Sequence, residues 1–224
     1  YVLFMNTDGT VSSHVKIASG TNGGPTLADS DFFGISAASI GDLNGDGVPD
    51  MVVGANGDDT GGSARGAVYV LFMNTDGTVS SHVKIASGTN GGPTLADSDF
   101  FGISAASIGD LNGDGVPDMV VGANGDDTGG SDRGAVYVLF MNTDGTVSSH
   151  VKIASGTNGG PTLADYDYFG RSAAGIGDLN GDGVPDMVVG AIYDDTGGTD
   201  RGAVYVLFMN TDGTVSSHVK IASG

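Results

Sequence analysis

Asp110-Leu-Asn112-Gly-Asp114-Gly-Val116-Pro-Asp118 leads straight into Met119-Val-Val-Gly-Ala123, and the same stretch returns unchanged at Asp42–Ala55 and Asp178–Ala191. An acidic, glycine-punctuated loop ending on a β-branched apolar run reads as a turn that feeds a buried strand. The copies lie 68 residues apart, and the rest of the chain keeps the same step: Tyr1-Val-Leu-Phe-Met-Asn returns at Tyr69, Tyr137 and Tyr205. Three whole periods fill residues 1–204, and Tyr205–Gly224 copies Tyr1–Gly20. Repetition at this length points to propeller blades or another array.

Within one period, four strand-like runs alternate with turn signals. In the middle copy strand A is expected at Gly102–Ile108, B at Met119–Ala123, C at Ala135–Met141 and D at Val147–Ile153. Asn142-Thr-Asp-Gly-Thr146 separates C from D, and its Asp-Gly supplies the positive φ that a tight hairpin needs. No stretch keeps a 3.6-residue period. The first strand is built of small residues and the later ones of larger ones, as a propeller requires when its inner strands crowd the axis. A β-solenoid rung of this length would be very long. The fold is therefore expected to be all-β, a β-propeller of four-stranded antiparallel blades with three complete blades plus an extra C–D hairpin. The hairpin is expected at 1–20 and the blades at 32–88, 100–156 and 168–224, with connectors at 21–31, 89–99 and 157–167.

Composition narrows the function. The net charge is −19, from 27 acidic and 8 basic residues, and every acidic residue is Asp. Asp suits turns and oxygen-ligand loops, whereas Glu is common on helices. A field this negative repels nucleic acid and anionic membranes and attracts cations, so neither is expected as a partner. There is no cysteine, hence neither a disulfide framework nor a thiolate metal site. No apolar run approaches a membrane span and no signal segment is read at Tyr1, so the sequence as given is expected to be soluble.

Phe101-Gly102 before strand A, the Asp110–Asp118 loop, and Val121-Gly122-Ala123 at the end of strand B together resemble the FG-GAP repeat, which builds the propeller of integrin α subunits and of related fungal lectins. The order and spacing of these parts match in all three periods. Asn56, Asn124 and Ile192 depart from the pattern, standing where the family often has Pro. The resemblance implies a loop that binds Ca²⁺ on one face of the propeller, and an extracellular or cell-surface setting. The near-identity of the copies points to recent duplication or to deliberate repetition of one template blade.

The loop residues support the same ion. Oxygen-bearing side chains fall at positions one, three, five and nine, while position seven offers a backbone carbonyl. The expected metal ligands are thus Asp42, Asn44, Asp46, Val48 and Asp50; Asp110, Asn112, Asp114, Val116 and Asp118; and Asp178, Asn180, Asp182, Val184 and Asp186, with one Ca²⁺ per complete blade. Hard oxygen donors without His or Cys suit Ca²⁺, which tolerates irregular coordination. An EF-hand would need Glu at position twelve, where Val53, Val121 and Val189 stand. The competing reading is a turn held by side-chain-to-backbone bonds alone. Three carboxylates in nine residues would then repel one another without compensation.

The copies differ at few places. The first and second differ only at Ala64/Asp132, while the third departs from the second at Tyr166, Tyr168, Arg171, Gly175, Ile192, Tyr193 and Thr199. Tyr166, Tyr168, Arg171 and Tyr193 fall at the blade end opposite the acidic loop. They form a candidate partner-binding rim for a protein or glycan, with neutral drift as the alternative. His14, His82, His150 and His218 recur on strand D and are expected to face solvent. Asp58-Asp59 and its copies are expected in a solvated turn, paired with Arg65, Arg133 and Arg201. No nucleophile–base pair and no phosphate-binding loop is present.

The expected function is a Ca²⁺-binding propeller module that acts as a scaffold or in recognition, without catalysis. A lectin-like glycan binder is the alternative, and a hydrolase ranks third. Three blades do not close a ring, since propellers usually have four to eight. Either the sequence is part of a longer chain or several copies associate, and self-association, most simply as a homodimer, is the expectation.

Overall fold

The computed structural model describes residues 1–223 and is all-β. A hairpin of β1 (Val2–Met5) and β2 (Val11–Val15) precedes three four-stranded antiparallel meanders. Blade 1 comprises β3 (Ala37–Gly41), β4 (Asp50–Ala55), β5 (Ala67–Met73) and β6 (Val79–Ala86). Blade 2 comprises β7 (Ala105–Gly109), β8 (Asp118–Ala123), β9 (Ala135–Met141) and β10 (Val147–Ala154). Blade 3 comprises β11 (Phe169–Gly177), β12 (Asp186–Ala191), β13 (Ala203–Met209) and β14 (Val215–Ala222). Strands B, C and D lie where the turn chemistry and apolar runs place them. The C–D turn closes as read: Gly145 takes φ +82°, and Asp144 accepts from the Thr146 N–H at 3.0 Å and from its hydroxyl at 2.6 Å.

Strand A is a correction. In blades 1 and 2 it starts at Ala37 and Ala105, later than the Gly102 position, after Phe100 (φ +57°) and Gly102 (φ +92°) turn the chain and the Ile103 N–H bonds back to the Phe100 carbonyl at 3.1 Å; in blade 3 the strand runs from Phe169. The same turn forms in blade 1, where Phe32 takes φ +55° and Gly34 φ +97° without a preceding B–C loop, so it is local to each blade; in the later blades it is also tied to the neighbour. Phe101 donates to the Arg65 carbonyl of blade 1 at 3.0 Å, and Phe169 likewise to Arg133 at 3.0 Å.

Alternation along each strand sends side chains to two faces, and both are apolar; blades 1 and 2 are covered on both sides, while blade 3 packs on blade 2 through one face. Val52, Val68, Val70, Phe72 and Ile85 of blade 1 pack against Met119, Val121, Tyr137, Leu139 and Met141 of blade 2. Val120, Val136, Val138, Phe140 and Ile153 of blade 2 meet Met187, Val189, Tyr205, Leu207 and Met209 of blade 3 in the same way. The blades touch closely at the inner strands. Ser36 Oγ donates to the Gly102 carbonyl at 2.9 Å, and a Cβ on Gly54 would lie 2.0 Å from that same oxygen. Glycine is required there by contact.

Candidate functional site

The acidic loop joins the two inner strands of each blade, at one end of the sheet. In blade 2, Asp110 turns its carboxylate back on the loop, accepting from the N–H groups of Gly113 (2.8 Å), Asp114 (3.0 Å) and Gly115 (2.8 Å). Asn112 Oδ1 accepts from the Asp114 N–H at 2.9 Å and its amide donates to Asp114 Oδ2 at 2.9 Å. Asp114 Oδ1 accepts from Val116 N–H at 2.8 Å. Asp42, Asn44, Asp46 and Val48 in blade 1, and Asp178, Asn180, Asp182 and Val184 in blade 3, repeat this pattern. Positive φ at Gly113 and Gly115 winds the loop tightly enough for these bonds.

The ninth-position Asp stands apart from the others. Asp118 is fully buried, with Oδ2 accepting from Leu111 N–H at 2.9 Å and Oδ1 from Met141 N–H at 3.0 Å. It pins the loop to the end of strand C. Burial pushes its pKa up to about 6, assisted by the charges of Asp114 and Asp110 and opposed by the two backbone donors. Asp50 and Asp186 are held alike, through Met73 and Met209. Every carboxylate in the loop is thus engaged by backbone donors, and each oxygen bonded once keeps a lone pair. Among the described residues no Lys or Arg forms an ion pair with a loop carboxylate. Nor do three acidic or His side chains there converge closely enough to hold an ion as they stand. The donor set is all oxygen and suits a hard cation, but its members face the loop's own N–H groups.

At the other end of blade 3 the rim tyrosines come together. The Tyr168 and Tyr193 rings meet edge to face with centroids 5.4 Å apart, and burial, Asp132, Tyr166 and Tyr193 all raise the Tyr168 pKa. Tyr166 and Tyr193 are exposed, and the Arg171 N–H bonds to the Tyr168 carbonyl at 3.2 Å, which places that residue in the same turn.

In the Asp58-Asp59 turn Asp59 is exposed as expected but Asp58 is not, and the expected pairing of Asp58 with Arg65 is corrected. Asp58 is buried and pairs with Lys84 of strand D at 2.5 Å, while Arg65 Nε donates to Asp97 of the following connector at 2.8 Å. Burial would raise the Asp58 pKa, but the Lys84 ammonium and the Thr60 side chain and N–H overcome it and hold the carboxyl below its usual range. In blade 3, Asp194 pairs with Lys220 at 2.6 Å and accepts from the Tyr205 hydroxyl at 3.1 Å. Arg201, the third expected partner, instead bonds to Ser223 Oγ at 3.1 Å. The signal for these pairs was cross-strand register: Tyr69 sits opposite Lys84, so both reach the buried end of the B–C loop. The four histidines stay on the exposed side, as expected.

Asp99 in the connector before blade 2 behaves oppositely to Asp58. It is buried, and burial, only partly offset by the Ala96 N–H, raises its pKa to about 6. The folded chain therefore keeps a proton that the unfolded chain, with pKa near 3.8, has already lost. Its contribution to stability is full below about pH 4 and declines as pH rises to about 6. Melting the metal-free protein across this window should show a fall with pH, to which the raised Asp118 also contributes, and Asp99→Asn should make it shallower. An unchanged slope in the variant would show that Asp99 is not among the titrating groups.

The model of the FG-GAP-like repeat matches residues 42–121 and 110–189. Human integrin alpha-6 is 37% identical over 172 residues, 76% of this chain and 13% of that protein. Integrin alpha-3 of Cricetulus griseus is 37% identical over 168 residues, 73% of this chain and 14% of the relative. The phosphatidylinositol-glycan-specific phospholipase D of Bos taurus is 33% identical over 183 residues, 78% and 20%. The chain thus spans a fifth or less of the length of these relatives. The matched repeats contain the acidic loops, the inner strands and the contacts between blades, and this chain belongs to the FG-GAP-like repeat family.

Proposed function

We propose that the protein is a Ca²⁺-binding module that serves as a scaffold or in recognition, without catalysis, and that each complete blade takes one ion in its acidic loop. The observation that carries this reading is the loop itself: three carboxylates and an amide within nine residues, with no cationic side chain among the described residues paired to them. The half-buried carboxylate of Asp110 and the exposed one of Asp114 would turn from their backbone donors toward the ion, the Val116 carbonyl would join them, and Asp118 would contribute a remaining lone pair. A bound ion would relieve the repulsion among the carboxylates. The Tyr166, Tyr168 and Tyr193 cluster supports recognition of a protein or glycan at the other end, by aromatic contact.

Thermal unfolding in millimolar Ca²⁺ and in excess chelator tests the reading. An ion at a hundred times its Kd contributes roughly 2.7 kcal/mol, so the melting point should rise by on the order of 5 °C or more. Superimposable curves, with no metal found by elemental analysis, would overturn it. A glycan array probed with and without Ca²⁺ addresses the rim.

A further inference from the structure

Neighbouring acidic loops are packed together through the residues that separate their ligands. Leu43 stands between Asp42 and Asn44 in the first loop and is 2% exposed, and Leu111 in the second is equally buried. The next blade supplies the cover, since Leu179 in the third loop, which no described blade follows, is 59% exposed. From the other side of each boundary, Val116 packs against the cluster that holds Ile40 and Leu43, and Val184 against the one that holds Ile108 and Leu111. A Cβ on Gly41, the residue before Asp42, would lie 3.8 Å from the Pro117 ring, and one on Gly109, before Asp110, 3.8 Å from that of Pro185. Both boundaries lie between blades of this chain.

The residues that meet at a boundary are one peptide link away from the ligands on either side. Val116 donates its N–H to Asp114 Oδ1 at 2.8 Å and offers its carbonyl as the seventh-position ligand, and Pro117 fixes φ directly before Asp118. Gly41 and Leu43 flank Asp42 in the same way, and the Leu43 N–H donates to Asp50 Oδ2 at 3.0 Å. In the metal-free loops Asp42 and Asp110 accept from the N–H groups of Gly45 and Gly113, each at 2.8 Å. A loop that takes an ion must turn these carboxylates and the Val116 carbonyl inward, and the same backbone carries the boundary side chains. A loaded second loop thus holds Val116 and Pro117 in one place against Leu43 and Gly41, so the first loop orders against a fixed wall. Ordering that one ligand has already brought about need not be repeated by the next, which is a source of positive coupling.

We propose that the acidic loops take their ions cooperatively: each loaded loop raises the affinity of the loop beside it, through Leu43 against Val116 and Pro117 at one boundary and Leu111 against Val184 and Pro185 at the other. The proposal rests on the Ca²⁺ reading of the loops given above. Charge works against it, because an ion in one loop weakens the attraction for an ion in the next. Packed sheets lie about 10 Å apart, and at about 0.15 M salt, where the Debye length is about 8 Å, two divalent ions at that spacing oppose each other by about twofold. Coupling between sites commonly amounts to about 5-fold or more, so packing sets the sign at this salt. The first and third loops share no boundary and are coupled only through the second.

Calorimetric titration with Ca²⁺ at this salt reads both the number of ions and the steepness of the binding curve. The parent should take three ions on a curve steeper than independent sites allow. Two variants that each lose one ion separate coupling from binding. Asp114 and Asp182 are exposed and bond within their own turns, so both variants should fold. Asp182→Ala disables the third loop and leaves two adjacent ones, so its curve should stay steep. Asp114→Ala disables the second and leaves two loops with no shared boundary. Its curve should flatten to that of independent sites, with half-saturation at about twofold or more higher Ca²⁺ than in Asp182→Ala. A parent curve no steeper than that of three independent sites, or equal curves in the two variants, would overturn the coupling and leave the reading of the loops standing. No ion bound by the parent would overturn both.

Discussion

Asp118→Ala should lower the stability of the protein by about 3 kcal/mol and also remove one bound ion, whereas Asp114→Ala should remove the ion and cost less than about 1 kcal/mol. The two residues stand four positions apart in one loop and are equivalent by type. Their surroundings separate them. The Asp118 carboxylate is buried and satisfies the N–H groups of Leu111 and Met141, the latter on another strand. Alanine leaves both donors buried without partners, at roughly 1–3 kcal/mol each. Part of that cost is returned, because burial already disfavours the charge and raises the pKa to about 6. Asp114 is exposed and bonds within its own turn, where water replaces it. Chemical denaturation in chelator measures the stability term alone. Calorimetry with Ca²⁺ then counts sites, with two of three expected in either variant, since each loop draws its ligands from its own nine residues. Equal stability losses in chelator would remove the structural role assigned to Asp118. Three intact sites in Asp114→Ala would remove the ligand role assigned to Asp114.

Strands B, C and D and their hairpin turn were legible because their determinants are local: alternating apolar residues, and Asp-Gly at the one position that needs positive φ. The start of strand A was not, because the turn before it places a positive φ on a phenylalanine, Phe32 or Phe100, which no local rule marks as a turn residue. The acidic loop was legible as an oxygen-donor loop, yet the second task of Asp118 depends on an N–H lying 23 residues further on. The pairing of Asp58 with Lys84 was hidden for a related reason. Arg65 is nearer in sequence, and only the register of strands C and D brings Lys84 to the buried carboxylate. Identical residues also have different surroundings. Ile85 is buried and Ile221 exposed because blade position, which no local pattern encodes, decides what lies above them.

Asp126→Ala should destabilise the middle blade by about 2–4 kcal/mol, through the charge it strands rather than through the contact it deletes. Asp126 is 2% exposed, pairs with Lys152, and accepts from the Tyr137 hydroxyl at 3.3 Å and the Thr128 N–H at 2.9 Å. Removing the carboxylate leaves the Lys152 ammonium over the Tyr137 ring, 5.7 Å from its centroid, with its stem held in the sheet. The lysine side chain keeps 29% of its surface in water, which places the cost below that of a fully buried pair. Asp126→Asn keeps one acceptor oxygen for the Thr128 N–H but sets an amide NH2 where Oδ2 met the Tyr137 hydroxyl and Lys152, so most of the loss should remain. Combining Asp126→Leu with Lys152→Met removes both charges and should recover most of the loss, giving a large coupling in a double-mutant cycle. The equivalent pairs in the outer blades set the acid response. The Asp58 and Asp194 carboxyls lie below their ordinary range: burial raises them, but Lys84 and Lys220 lower them further. A depressed folded pKa means that the contribution is complete above the unfolded value near 3.8 and is lost as pH falls through the folded one. These pairs therefore hold throughout the window between pH 4 and 6 in which Asp99 titrates, and fail only in stronger acid. Additive single and double variants would show that Asp126 and Lys152 act independently, and that the buried pair is not what fixes the B–C loop to strand D.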